Sequence, residues 1–132
     1  MKFPRQRRLS GSGQFGAVFA TPRVSRDRYF KVLGKPNELH YSRLGMAVSR
    51  RASKRAVGRN RLKRLIRESF RAHQAQFADG ASRDFVVLPS PAAATISNAR
   101  LYESLQAHWR EQYRFAQQAV GQSVDAGKAT GN

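Results

Sequence analysis

Between residues 54 and 77 the chain changes chemistry with the period of an α-helix, and this stretch limits the possible folds more than any other. At about 100° per residue, Leu62, Leu65, Ile66, Phe70, His73 and Phe77 share one side of the helix, and Asn60, Lys63, Arg64, Arg67 and Arg71 gather on the opposite side. A helix with one greasy side has to be covered by another element, so this segment predicts a layered fold around a core. Its polar side is equally restrictive. Residues 50–71 hold ten basic side chains and a single acid, Glu68, so pairing of charges along the helix cannot be their purpose. The pattern is read as a cationic face that meets a polyanion.

The flanking segments supply what covers the apolar side. Residues 14–19 read as a short helix, with Phe15, Val18 and Phe19 on one face. Residues 28–33 are rich in Tyr, Phe and Val and are followed by the turn residues of Gly34-Lys35-Pro36-Asn37, which predicts a strand and a turn. Leu44, Met46 and Val48 alternate with Gly45, Ala47 and Ser49, which is the period of a strand with one bulky and one small face. These two strands are expected to form a hairpin with a long loop. Residues 84–88, DFVVL, form a continuous apolar run of the kind expected for a strand covered on both faces. Ser97 or Asn98 then caps a last helix, with Leu101, Leu105, Trp109 and Tyr113 on its packed stripe. The order is α-β-β-α-β-α, with room for a further short strand in residues 23–35, so the fold class is α+β, a small sheet with helices packed on it. Residues 1–120 are expected to form one domain, and the aperiodic residues 121–132 a disordered tail.

Charge narrows the partner. With 25 Lys and Arg against 8 Asp and Glu the chain carries +17, an imbalance that an anionic ligand would relieve. Nucleic acid is the first candidate. The sequence contains no apolar run of the roughly 18 residues needed to span a bilayer, and residues 1–8 are too basic and too poor in apolar residues for a signal peptide, so a cytoplasmic protein without a membrane partner is expected. The absence of Cys excludes thiol chemistry and Cys-ligated zinc, and His40, His73 and His108 lie too far apart in sequence for a local metal motif. The eight acids are scattered, so no catalytic constellation and no protein-held cofactor is expected. Arg and Lys on a rigid helix suit phosphate oxygens instead, and Phe15 and Phe19 either belong to the core or stack unpaired bases beside the basic surface.

Arg59-Asn60-Arg61 followed by Leu-Lys-Arg-Leu-Ile-Arg resembles the RNR signature of the bacterial ribonuclease P protein subunit, and LGMAVSRRASKRAVG before it resembles that family's lead-in from strand to helix. FPRQRRL, QFGAVF, KVLGKPNELHYSRLG and DFVVLPSP extend the likeness in order over about residues 3–115. The resemblance implies a protein that assists a catalytic RNA in removing the 5′ leader of precursor tRNA, with the catalysis and its Mg2+ ions residing in the RNA. It implies a face for the catalytic RNA at Arg59, Asn60, Arg61, Lys63, Arg64 and Arg67, with Arg50, Arg51, Lys54 and Arg55 as neighbours. A cleft for the leader is implied at Phe15, Phe19 and Lys31, between the first helix and the sheet. Where some relatives carry an aromatic on the strand facing that cleft, the matching position here is Leu33. Arg59 lies near the apolar edge of the wheel and Arg61 off its main basic face, so these two are placed to brace the helix or reach sideways. A left-handed βαβ crossover is also implied, against the right-handed rule, and one copy is expected per holoenzyme. A different class, a basic ribosomal or ribosome-assembly protein that acts only as structural RNA glue, shares the charge pattern. A sequence-specific DNA regulator fits less well, because no helix-turn-helix pair is visible.

Overall fold

The computed structural model describes residues 21–77 and 81–131, with side-chain surroundings given as far as Gln118. Its elements are β1 (Arg23–Arg26), β2 (Phe30–Pro36), β3 (Arg43–Met46), α1 (Ala56–His73), a 3-10 turn (Gln74–Phe77), β4 (Arg83–Pro89), a second 3-10 turn (Pro91–Thr95) and α2 (Asn98–Gly131). The helix expected over residues 14–19 lies outside the described residues. The extra short strand is β1, which pairs antiparallel with β2. α2 enters the segment 121–132 that composition assigns to an aperiodic tail.

β2 and β3 do not form the expected hairpin. The sheet order is β1-β2-β4-β3, so β4 enters between them, antiparallel to β2 and parallel to β3. The physical reason is the apolar run that β4 carries: Phe85, Val86 and Val87 are all fully buried, a state available to a central strand covered on both faces and not to an edge strand. On one face Phe85 and Val87 join Phe30, Val32 and Leu44 beneath Leu62, Leu65, Ile66 and Phe70 of α1 and Leu101, Leu105 and Trp109 of α2. On the other, Val86 packs with Leu33, Ala47 and Leu88.

The parallel pair β3 and β4, joined by α1, is a βαβ unit, and its hand follows from one hydrogen bond. With the helices toward the viewer and β4 rising, an L-residue whose side chain points at the viewer turns its own N–H and C=O to the right. Val87 is such a residue, and its carbonyl accepts the N–H of Ala47, 3.0 Å away, just beyond β3. β3 therefore lies to the right of β4, and the chain moves leftward through the helix layer. The crossover is left-handed, against a rule followed in about 98% of cases.

Aromatic rings fill the centre. Phe70, Phe85 and Trp109 meet edge to face with centroids 5.4 to 6.0 Å apart, and Phe77 meets Phe85 at 4.9 Å. The Trp109 indole N–H donates to Ser69 Oγ of α1 at 2.8 Å, which satisfies a buried donor and locks the two helices together. Gly34 gives the close approach on which α2 depends, because a Cβ there would stand 2.3 Å from Gln112 Oε1 and 3.1 Å from the Phe85 ring. At the far end of the sheet Asp84 receives Arg43 through two bonds of 2.7 and 2.8 Å and Asn37 through a third. Arg83 is itself buried, donating to the Gly34 carbonyl at 3.2 Å; burial, with Arg23 nearby, brings its guanidinium down to about 10.

Candidate nucleic-acid interface

The cationic face begins in the loop before α1. The N–H groups of Ala52 and Ser53 both donate to the Ser49 carbonyl, and Ala52 is buried, so residues 49–53 form a compact turn. Gly58 lets this turn close on the helix, since a Cβ at that position would meet Ser53 Oγ at 2.2 Å. Arg55, at the N-cap, offers no capping oxygen, and the first turn of α1 contains no acid. The amide end of the helix thus adds its partial positive charge to that of Arg50, Arg51, Lys54 and Arg55, which are all exposed.

Within α1 the three residues of the signature divide. Arg59 folds back, its guanidinium donating to the Ser53 and Lys54 carbonyls at 3.0 and 2.8 Å, and so fixes the turn against the helix. Arg61 reaches sideways to the start of α2, donating to Asn98 Oδ1 at 2.8 Å and to the carbonyls of Ile96 and Ala94 at 2.5 and 3.5 Å. Asn60 is exposed between them. Both arginines therefore brace the scaffold, as their places on the wheel suggest, and they bring their charge to the surface while their donors are partly engaged within the protein.

Lys63, Arg64 and Arg67 continue the face, with Arg64 exposed and the other two half-buried along their stems. Among the described residues the ion pairs are Arg43 with Asp84, His108 with Asp27 and Arg114 with Glu111, so none neutralises this face. The one acid of the segment, Glu68, is drawn away by the Tyr102 hydroxyl of α2; burial and then this carboxylate push the Tyr102 phenol up.

A cavity of about 570 Å³ adjoins the face where β2 begins and β4 ends. Lys31 and Arg51, assigned from the sequence to two different surfaces, both line it, together with Arg26, Asp27, Ser49 and Leu88. Lys31 stands opposite Leu88 in the β2–β4 register, on the sheet face that carries Leu33 and Val86. Leu33 itself is 4% exposed and belongs to this second apolar cluster. Phe15 and Phe19 lie outside the described residues. Sequence reasoning missed Arg26 and Asp27, whose place at the cavity depends on the β1–β2 turn and leaves no mark in the periodicity. Among the described residues no three His, Asp or Glu side chains gather at one point. No helix among them is long and apolar enough to cross a membrane.

Comparison with known proteins agrees with this architecture. Residues 3–113 match the family model for ribonuclease P. The chain is 43% identical over 107 residues to the ribonuclease P protein component of Methylococcus capsulatus, covering 81% of each protein. It is 41% identical over 116 residues to that of Yersinia enterocolitica, covering 88% of this chain and 95% of the relative. The solved structure of the RNase P protein from Thermotoga maritima superposes with a TM-score of 0.69 at 30% identity, over 79% of this chain and 96% of that one. Family, relatives and fold coincide over the stretch that carries the basic helix, and the chain belongs to the ribonuclease P protein family.

Proposed function

We propose that the chain is the protein subunit of a ribonuclease P holoenzyme, binding the catalytic RNA through the face of α1 and the 5′ leader of precursor tRNA through the cleft that contains Lys31. The observation that carries this reading is the unneutralised row Lys63, Arg64 and Arg67, continuous with the exposed cations of residues 50–55. Phosphate oxygens are the ligand such a row can bind without the cost of burying unpaired charge. Lys31 and Arg51 meeting at one cavity support a single path from the leader cleft to the catalytic RNA. Catalysis and the Mg2+ ions belong to the RNA in this reading, and the protein supplies grip and register.

The experiment is reconstitution. The purified protein alone leaves precursor tRNA intact, and added to its catalytic RNA it restores 5′ processing at low Mg2+. Protein that cleaves unaided, or that binds the catalytic RNA without aiding cleavage, would overturn the proposal. Phe15→Ala with Phe19→Ala is expected to weaken binding of leader-bearing tRNA relative to mature tRNA. Equal losses for both would remove these rings from the leader path.

A further inference from the structure

Polar groups of the helix-covered core converge on Asp27, in the turn between β1 and β2. Its Oδ1 accepts the backbone N–H groups of Tyr29 at 2.9 Å and Phe30 at 2.8 Å, and its Oδ2 accepts the Ser104 hydroxyl of α2. His108, one turn further along α2 and 4% exposed, brings Nε2 within 3.2 Å of Asp27 Oδ1, while its Nδ1 lies 2.7 Å from Ser25 Oγ of β1. Gln112, a turn beyond, donates from Nε2 to Ser25 Oγ at 3.1 Å and to the Val32 carbonyl at 3.0 Å.

The direction of donation sets the histidine tautomer. Nε2 faces the acceptor-only carboxylate of Asp27, so the ring proton of neutral His108 belongs on Nε2, and Nδ1 accepts from the Ser25 hydroxyl, whose oxygen accepts the Gln112 amide. The Nε2 contact with Asp27 is one of charge and proximity, since Nε2 makes no well-aligned hydrogen bond among the described residues. The trio of serine, histidine and aspartate is not a nucleophilic site, because Ser25 is 7% exposed and its oxygen is already occupied by the glutamine amide.

Asp27 faces two ways. It lines the 570 Å³ cavity beside Arg26, Lys31 and Arg51, and also a smaller one of about 280 Å³ beside Ser25 and His108. The turn it closes is clamped from the β4 side as well, the Ser90 N–H donating to the Tyr29 carbonyl at 2.8 Å and the Ser90 hydroxyl to the Arg28 carbonyl at 2.6 Å. Arg26 is the last residue of β1, and Lys31, its partner across the ladder, is the second of β2. A carboxylate released from its α2 donors would compete with leader phosphates for both cations.

On the basis of the leader-binding function proposed above, we infer that His108 is a positioning residue for that function: through Asp27 it fixes the β1–β2 turn and keeps Arg26 and Lys31 free for leader phosphates. The test uses the holoenzyme assembled with its catalytic RNA and compares its affinity for precursor and mature tRNA. His108→Gln places an amide donor near Nε2 and keeps the link to Asp27, whereas His108→Asn reaches only Ser25. His108→Asn is expected to lose about five- to tenfold of leader-dependent affinity, the scale of one ordinary net polar contact, as a raised KM with kcat and mature tRNA binding unchanged. His108→Gln is expected to restore it. Ser104→Ala, which removes another donor from the same carboxylate, gives an independent variant with a loss in the same direction. Discrimination that survives both His108→Asn and Ser104→Ala, or equal loss for mature tRNA, would overturn the role of His108. A wild-type holoenzyme that binds both tRNAs alike would instead overturn the leader-binding function itself.

Discussion

The two described helices pack on the same sheet face and are both amphipathic, yet they dispose their polar groups in opposite ways. α1 turns Asn60, Lys63, Arg64 and Arg67 outward, and Ser69 is the polar residue on its buried side. α2 turns Ser104, His108 and Gln112 inward, at intervals of four residues along one edge of its buried arc. An outward cation keeps its hydration until a polyanion arrives, so α1 adds affinity for a ligand at little cost in stability. An inward polar group has to find its partner inside the protein. α2 therefore specifies where β1 and the turn after it must lie. In the proposed holoenzyme one helix holds the ligand's charge, and the other sets the geometry of the cleft beside it.

The largest expected effect comes where the helices interlock. Trp109→Ala removes the ring that packs on Phe70 and Phe85 and leaves Ser69 without its donor, and should lower unfolding free energy by about 3 to 5 kcal/mol in a denaturant titration. A loss under about 1 kcal/mol would mean that the core does not depend on this joint. Gly34→Ala tests the α2 side, because the added methyl meets the Gln112 amide oxygen first and the Phe85 ring next; a cost of about 1 to 3 kcal/mol is expected from overpacking, and a neutral result would show that Gln112 is free to move.

Arg64→Ala combined with Arg67→Ala tests the α1 side. Stability should stay within about 0.5 kcal/mol of wild type. The log–log salt dependence of binding to the catalytic RNA should become shallower by about 1.4 to 1.8, the loss of two phosphate contacts. An unchanged slope would refute the face.

The smallest effect is in pH. Burial pushes the Asp27 carboxyl up, but the hydrogen bonds from Ser104, the Phe30 and Tyr29 amides and His108 outweigh it and hold it below the ordinary carboxylate value. Its contribution to stability is therefore fully present above the unfolded value of about 3.8 and is lost as pH falls through the lower folded value. Asp27→Asn should flatten the acid limb of a stability-versus-pH curve in that window, and an unaltered limb would detach Asp27 from the α2 network.

Much of this was legible because period is a local property. Apolar residues at helical spacing from Leu62 to Phe70 announced α1, alternation at Leu44, Met46 and Val48 announced β3, and the unbroken run of residues 84–88 announced a strand covered on both faces. The pairing of those strands was not legible. Two neighbouring strands suggest a hairpin, and only the need to bury Phe85, Val86 and Val87 on both sides sends β4 between them. The inward edge of α2 was illegible for a related reason, since Ser, His and Gln at intervals of four look like a solvent face until Asp27, Ser25 and Val32 are known to lie opposite.

The chain's own order of residues determined that a basic amphipathic helix would sit on a small sheet and seek a polyanion, because charge and periodicity are carried by neighbours a few positions apart. Which arginines stay available for that ligand was decided by tertiary structure. Arg59 and Arg61 differ from Arg64 in what the fold brings within hydrogen-bonding reach of them, and for Arg61 those carbonyl and amide oxygens come from Ala94, Ile96 and Asn98 on the approach to α2, 33 to 37 residues away along the chain.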